Sequence, residues 1–254
     1  FVGIQNLLDA LKNRAIPVAL VNTLIYASVK TVFVTVLGLF FAYMLNRKIA
    51  GQKVLRTVFF LPSVFAALVV GLIFSGIFKT RGGTVNEILA VFKVHRVQWL
   101  GNRWLSILAI NVASIWSNVG YATIISLAGM QSVSKDYIEA AKIDGATKWQ
   151  TLWRVTIPNV MPSITICTFL TLTNSFKLFD QNLALTAGRP FIMQAGGLTV
   201  KTTEMLALNI VNSFYSTNAN SRGVGQAKAV LFFILVAAIG LIQLKSTRSK
   251  EVQQ

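Results

Sequence analysis

Carboxylates are scarce in this chain: Asp and Glu together number 8, against 24 Lys and Arg, in 254 residues. None of the eight lies at the centre of an apolar stretch, which argues against an ion-coupled secondary transporter, whose coupling ion needs buried acids. There is one cysteine, Cys167, inside an apolar run; an internal disulfide and a Cys-based metal site are therefore excluded. The one histidine, His95, reads as a loop residue. A membrane enzyme needs a nucleophile with its base, or a metal cluster, and one Cys and one His without acidic neighbours supply neither. No G-x-x-x-x-G-K-[ST] run is present, so the chain carries no phosphate-cradling loop with which to hydrolyse ATP itself. Charged residues make up only 13%, about half the usual quarter of a soluble globular domain.

What fills the chain instead is apolar surface: 54% of residues are hydrophobic and the mean hydropathy is +0.62. Apolar runs recur at the length an α-helix needs to cross about 30 Å of hydrocarbon, and the alternation of a membrane barrel is missing. The expected fold is an all-α, polytopic membrane helical bundle with five spans, at 21–45, 57–78, 105–130, 159–179 and 225–244. The run 204–215 is too short to cross and reads as an interfacial or partly inserted helix. The net charge of +16 lies mainly in the connections, where it meets lipid headgroups or sets topology; no separate basic domain exists to bind nucleic acid. Lys/Arg density places the connection 46–56, the segment 131–158 and the tail after Leu244 on the cytoplasmic side, although the raw count on the two sides is level. The first 20 residues form neither a signal peptide nor a span, so the chain reads as the remainder of a longer protein.

Segment 131–158 is the most structured connection. Ser134 is placed to cap a helix with Asp136 in its first turn, where the helix dipole favours an acid. Asp144-Gly145 supplies a stop, since glycine enters the left-handed region without steric cost. Thr147 and Gln150 have the spacing of a capping box for a second short helix, with Trp149, Leu152 and Trp153 on one face and Pro158 at the entry to the next span. The small residues Ala140, Ala141 and Ala146 permit close approach by another surface, or packing against the chain's own bundle.

Two spans carry polar stripes. Asn111, Ser114, Ser117 or Asn118, and Tyr121 share one face of the third; Thr171, Asn174 and Ser175 share one face of the fourth. Such groups either hydrogen-bond between helices or face a polar cavity. Lys30 within the first span must face the interior or snorkel, and Lys177 has Asp180 three residues on, within pairing distance.

Glu139-Ala140-Ala141 followed by Asp144-Gly145-Ala146 and Pro158 resembles the EAA loop of binding-protein-dependent ABC importer permeases. The wider chain is similar to the sugar branch of that family, the maltose and glycerol-phosphate type, through "NTLIYASV", "NRKIAGQKVLRTVFFLP", "LAGMQSVSKDYIEAAKIDGATKWQTLWRVTIP" and "LFFILVAAIGLIQLK". The resemblance implies a single transmembrane permease domain over 1–254 with a cytoplasmic coupling loop at about 131–158, a further span ahead of Phe1, and a multi-pass place in a bacterial plasma (inner) membrane. It implies a second homologous permease subunit, an ATPase dimer that carries ATP and Mg, an external solute-binding protein, and no cofactor, metal or catalytic residue in this chain. Glu139, Ala140, Ala141, Asp144, Gly145 and Ala146 would then couple to the ATPase. Ser114, Ser117, Asn118, Tyr121, Thr171, Asn174 and Ser175 would lie along the path of an oligosaccharide. The external cations Lys79, Arg81, Lys93, Arg96 and Arg103 keep open an anionic oligosaccharide or sugar phosphate.

Overall fold

The computed structural model describes residues 4–47, 50–193, 199–216 and 219–248; Lys48 and Lys250, two of the basic residues used for topology, lie outside them. The chain is helical almost throughout. α1 (Gln5–Lys12) leads into α2 (Ala15–Leu45), followed by α3 (Gln52–Phe60), α4 (Ala67–Ile77), α5 (Thr84–Val91), α6 (Arg103–Ser132), α7 (Lys135–Ile143), α8 (Lys148–Thr151), α9 (Ile157–Phe176) and α10 (Asp180–Leu185). A small antiparallel pair, β1 (Phe191–Met193) with β2 (Thr199–Lys201), sets Ile192 opposite Val200; α11 (Leu206–Phe214) and α12 (Ala219–Arg248) complete the order.

Among the described residues, four helices are long and apolar enough to cross a membrane, and five if one bent pair counts as a single span. At 31 residues α2 is about 46 Å long, so it outreaches the hydrocarbon layer. The span expected at 57–78 is a bent pair: α3 stops at Phe60, a 3-10 turn runs over Leu61–Val64, and α4 restarts at Ala67, with a sharp bend at the break. Pro62 is the cause, since it has no N–H to continue the ladder and pushes its predecessor away from helical geometry. The separate second helix expected before Pro158 is corrected. From Lys148 the chain stays helical to Phe176, through α8, a widened turn over Leu152–Thr156 and α9. In that turn the Ile157 N–H reaches Leu152 O, five residues back. Widening the turn gives the Pro158 ring room that a regular helix would deny it.

Contacts divide the chain into two compact units that share α2, α6, α9 and α12. The first comprises residues 1–30, 65–114 and 174–237. Tyr26, Phe74, Phe78, Ile110, Leu178, Leu185 and Met205 form its apolar core, with Trp99 packed on it. Around this core the joints are polar. Asn22 donates to Thr202 O (2.7 Å) and Glu204 O (3.1 Å) and accepts from Arg103 Nη2 (2.9 Å); Asn182 donates to Thr203 O and accepts from the Met205 N–H. In a membrane, where lipid is as apolar as leucine, such bonds and close packing hold helices together. α11 is fastened here through buried Leu206, Leu208 and Asn209, so the short apolar run packs into protein.

The second unit comprises residues 31–64, 115–173 and 238–254. Ala42, Leu45, Leu127, Met130, Val133 and Val160 make one core, and Val34, Ala122 and Cys167 another. Small residues bring the helices together. A Cβ on Gly120 would lie 1.9 Å from Phe59 O, a distance only glycine allows.

Candidate functional site

Segment 131–158 forms from local signals. The Ser134 Oγ accepts the Asp136 N–H and starts α7; its end is a full Schellman closure, with Gly145 N–H to Lys142 O (3.0 Å), Ala146 N–H to Ala141 O (2.9 Å) and Gly145 at φ +77°. Nothing lies within 4 Å of where a Gly145 Cβ would stand, so glycine serves backbone geometry alone. Thr147 and Gln150 then complete the capping box, each side chain bonded to the other's backbone N–H.

Ile138 packs into the core formed by Leu45, Met130 and Val160, and Leu152 is buried; these two residues anchor the segment. The other face is open. Glu139, Ala140, Asp144 and Gly145 are exposed, and Ala141 and Ala146 half-buried. Glu139 makes no hydrogen bond or ion pair among the described residues. At the tip of α7, Ile143 is 86% exposed, and Trp149 and Trp153 stand out as an edge-to-face pair 5.5 Å apart. The exposure of Ile143 is invisible in the helix pattern, because it depends on the turn that follows. Full burial of such a side chain is worth about 1.5–3 kcal/mol.

The polar stripes are divided between the units. In the first, Ser114 is fully buried, accepting from the Tyr26 hydroxyl (2.9 Å) and donating to Gln181 Oε1 (2.8 Å). Asn111 donates to Ile107 O, while Asn111 Oδ1 and Gln181 Nε2 are buried with no hydrogen-bond partner among the described residues. Ser175 is buried and Asn174 exposed. In the second unit Asn118 donates to Ser117 Oγ (3.0 Å), Tyr121 is 42% exposed and Thr171 is buried. Tyr26 and Gln181 did not stand out in the sequence: a lone Tyr in an apolar span and a Gln beyond the end of another carry no periodic signal.

Lys30 is buried, its Nζ 5.6 Å from the Tyr26 ring centroid, which resolves the choice between interior and snorkelling. Lys177 and Asp180 are both exposed and form no ion pair among the described residues. Among the cations expected on the external side, Arg96 pairs with Glu87 at 3.9 Å and Arg103 is held by Asn22. No group of three or more His, Cys, Asp or Glu able to hold a metal occurs among the described residues.

The family model for the binding-protein-dependent transport system inner membrane component matches residues 34–246. The chain is 36% identical over 258 residues to a probable starch degradation products transport system permease protein, AmyD, of Thermoanaerobacterium thermosulfurigenes, covering 100% of this chain and 82% of that protein. It is 31% identical to the trehalose/maltose transport system permease protein MalF of Thermococcus litoralis, over 98% of this chain and 80% of that one. Among solved structures, a bacterial ABC transporter involved in import of the acidic polysaccharide alginate matches with a TM-score of 0.84 at 20% identity, covering 98% of this chain and 84% of that chain. At that identity the likeness concerns the fold.

Proposed function

This chain belongs to the family of binding-protein-dependent transport system inner membrane components, and we propose that it is the permease subunit of an ATP-driven importer that takes up an oligosaccharide delivered by an external binding protein. A homologous permease and an ATPase dimer complete the assembly, in a bacterial plasma membrane with segment 131–158 in the cytoplasm. ATP and Mg act on the ATPase subunits, whose closure moves this segment and switches the spans between outward and inward access.

The exposed face of α7 and its turn carries the reading. A helix closed by a rigid glycine turn, tied down through Ile138 and Leu152, presents exposed Glu139, Ala140 and Ile143 beside half-buried Ala141 and Ala146. Such a projection fits a cleft in a partner, with Ile143 as the apolar anchor and Glu139 as the contact to a basic residue. The sugar class is supported by the relatives, which are permeases for starch products, trehalose and maltose. The unpartnered Asn111 Oδ1 and Gln181 Nε2 support it too, an acceptor and a donor near Ser114 that match a hydroxyl's dual capacity. An anionic substrate is not favoured over a neutral one, since Arg96 and Arg103 already have partners.

The test is Glu139→Lys and Ile143→Asp in the intact importer, reconstituted with its binding protein in proteoliposomes. Both variants should insert normally, while uptake and binding-protein-stimulated ATP hydrolysis fall by about tenfold or more, a loss of roughly 1.4 kcal/mol or more at the docked surface. Wild-type uptake and hydrolysis in both would overturn the assignment. Identification of the glycan held by the co-purified binding protein tests the substrate class.

A further inference from the structure

Within the second compact unit, a cavity of about 400 Å3 lies between the C-terminal end of α2 and the α7–α8 turn. Three cations from separate parts of the chain line it: Arg47 just past α2, Lys142 in the last turn of α7 and Lys148 at the start of α8. Among the described residues no carboxylate lines it, although α7 and its cap carry Asp136, Glu139 and Asp144. All three are exposed, so solvent screens their repulsion in part, and an anion bridging them removes what remains.

Arg47 is already oriented. Its Nη2 donates to the Tyr43 hydroxyl (2.7 Å) and its guanidinium carbon sits 4.6 Å from that ring's centroid. A guanidinium has five N–H donors in a fixed fork, so one bond to Tyr43 leaves a face able to bind a phosphate. Met130, Ile138, Ala146 and Leu152 form an apolar part of the wall, beside the polar Asn46, Thr151 and Thr156. A free inorganic anion would use the cations and leave this apolar wall bare. A phospholipid uses both, placing its phosphate among the cations and the start of an acyl chain against the wall.

The level is also right for a lipid. Arg47 follows the end of one membrane-crossing helix, and Met130 lies in the last turn of another, α6. Trp149 and Trp153, exposed on the adjoining turns, are of the type that settles at a membrane surface. We propose that this cavity binds the phosphate headgroup of an anionic phospholipid from the leaflet at this surface, and that the bound lipid ties the end of α2 to the α7–α8 turn. That the leaflet is the cytoplasmic one rests on the orientation proposed above; the binding itself does not.

The experiment uses the intact importer in nanodiscs of phosphatidylcholine with and without phosphatidylglycerol, followed by extraction and native mass spectrometry of retained lipid. The wild type should retain phosphatidylglycerol in preference to phosphatidylcholine. Each basic residue contributes roughly a fivefold factor at an anionic surface, so the triple variant Arg47→Gln, Lys142→Gln, Lys148→Gln should bind it on the order of a hundredfold less tightly. Arg47→Lys with Lys142→Arg and Lys148→Arg should retain it within a few-fold, and so should Lys79→Gln with Arg81→Gln and Lys93→Gln, which remove the same charge elsewhere. Equal retention by the wild type and the Gln triple, with both complexes intact, overturns the proposal. Loss in the Lys79, Arg81, Lys93 variant overturns it as well, since the effect is then one of net charge. Displacement of the lipid by inorganic phosphate alone at millimolar concentration shows a free-anion site instead.

Discussion

Glu139 and Glu204 are two acids of one chain put to opposite uses. Glu204 is 5% exposed; its carboxylate accepts from Asn209 Nδ2 (2.7 Å) and from Asn212, and Lys201 lies 3.5 Å away. Asn209 in turn accepts from buried Lys228, which also donates to Ser213. Every charge in this cluster is satisfied within its own unit, and the cluster ties α11 to α12. Glu139 stands on an exposed helix face with no partner among the described residues. The first acid belongs to the architecture; the second is the one proposed above to meet a partner. In a chain this poor in carboxylates, an acid kept in the open on a tethered, capped helix is the clearer pointer to a partner.

The largest effect should come from breaking the buried member of this pair. Glu204→Ala removes the acceptor for two amide donors, at about 1–3 kcal/mol for each group left buried and unpaired. It should lower the unfolding temperature and the folded yield in detergent, and an unfolding temperature equal to the wild type would show that the cluster is dispensable. Glu139→Lys should leave that temperature unchanged.

Next come the polar faces proposed for the sugar path. Asn118→Leu and Asn174→Leu should keep the fold and ATPase association while each loses about 1–3 kcal/mol of binding to a substrate hydroxyl. Uptake is the readout, and full uptake by the double variant would return both stripes to ordinary helix packing. Smaller again is Gly145→Val, which places a β-branched residue at φ +77° and costs roughly 1–2 kcal/mol in the turn. Since no atom lies within 4 Å of the new Cβ, global stability should barely change while coupled ATP hydrolysis falls. A variant crystal structure with the turn unaltered would remove the argument. The smallest effect is expected from Thr147→Ala, which opens the capping box and frays α8 by about 1 kcal/mol. Hydrogen exchange at Trp149 and Gln150 measures it, and unchanged protection there would mean that the buried Leu152 alone holds the turn.

Much of segment 131–158 was legible because its signals are local. Ser134, Gly145 and the Thr147–Gln150 pair act over three or four residues, and all three devices are present as expected. Hydropathy likewise located the long helices to within a few residues, apart from longer ends on α2 and α12. Two breaks in regularity were harder. Pro62 sits in an apolar run whose length conceals the interruption, and Pro158, read as a boundary, is absorbed by the widened turn ahead of it. The helical stripe on α6 was visible, but nothing local said that Ser114 would be claimed by Tyr26, 88 residues away, and by Gln181.

By itself, then, the sequence determined the membrane class, the place of the long apolar helices, the family and the capped turn, because hydropathy over about 20 residues and capping over three or four are short-range properties. Tertiary structure alone decided which polar groups are used up and which remain available. Asn22, Tyr26 and Asn182 are bound to residues distant along the chain, while Glu139 and Ile143 stay open and Arg47, Lys142 and Lys148 come together around one cavity. The physical reason is that a buried polar group must find its partner wherever packing brings one, and the side-chain type records the need without naming the partner.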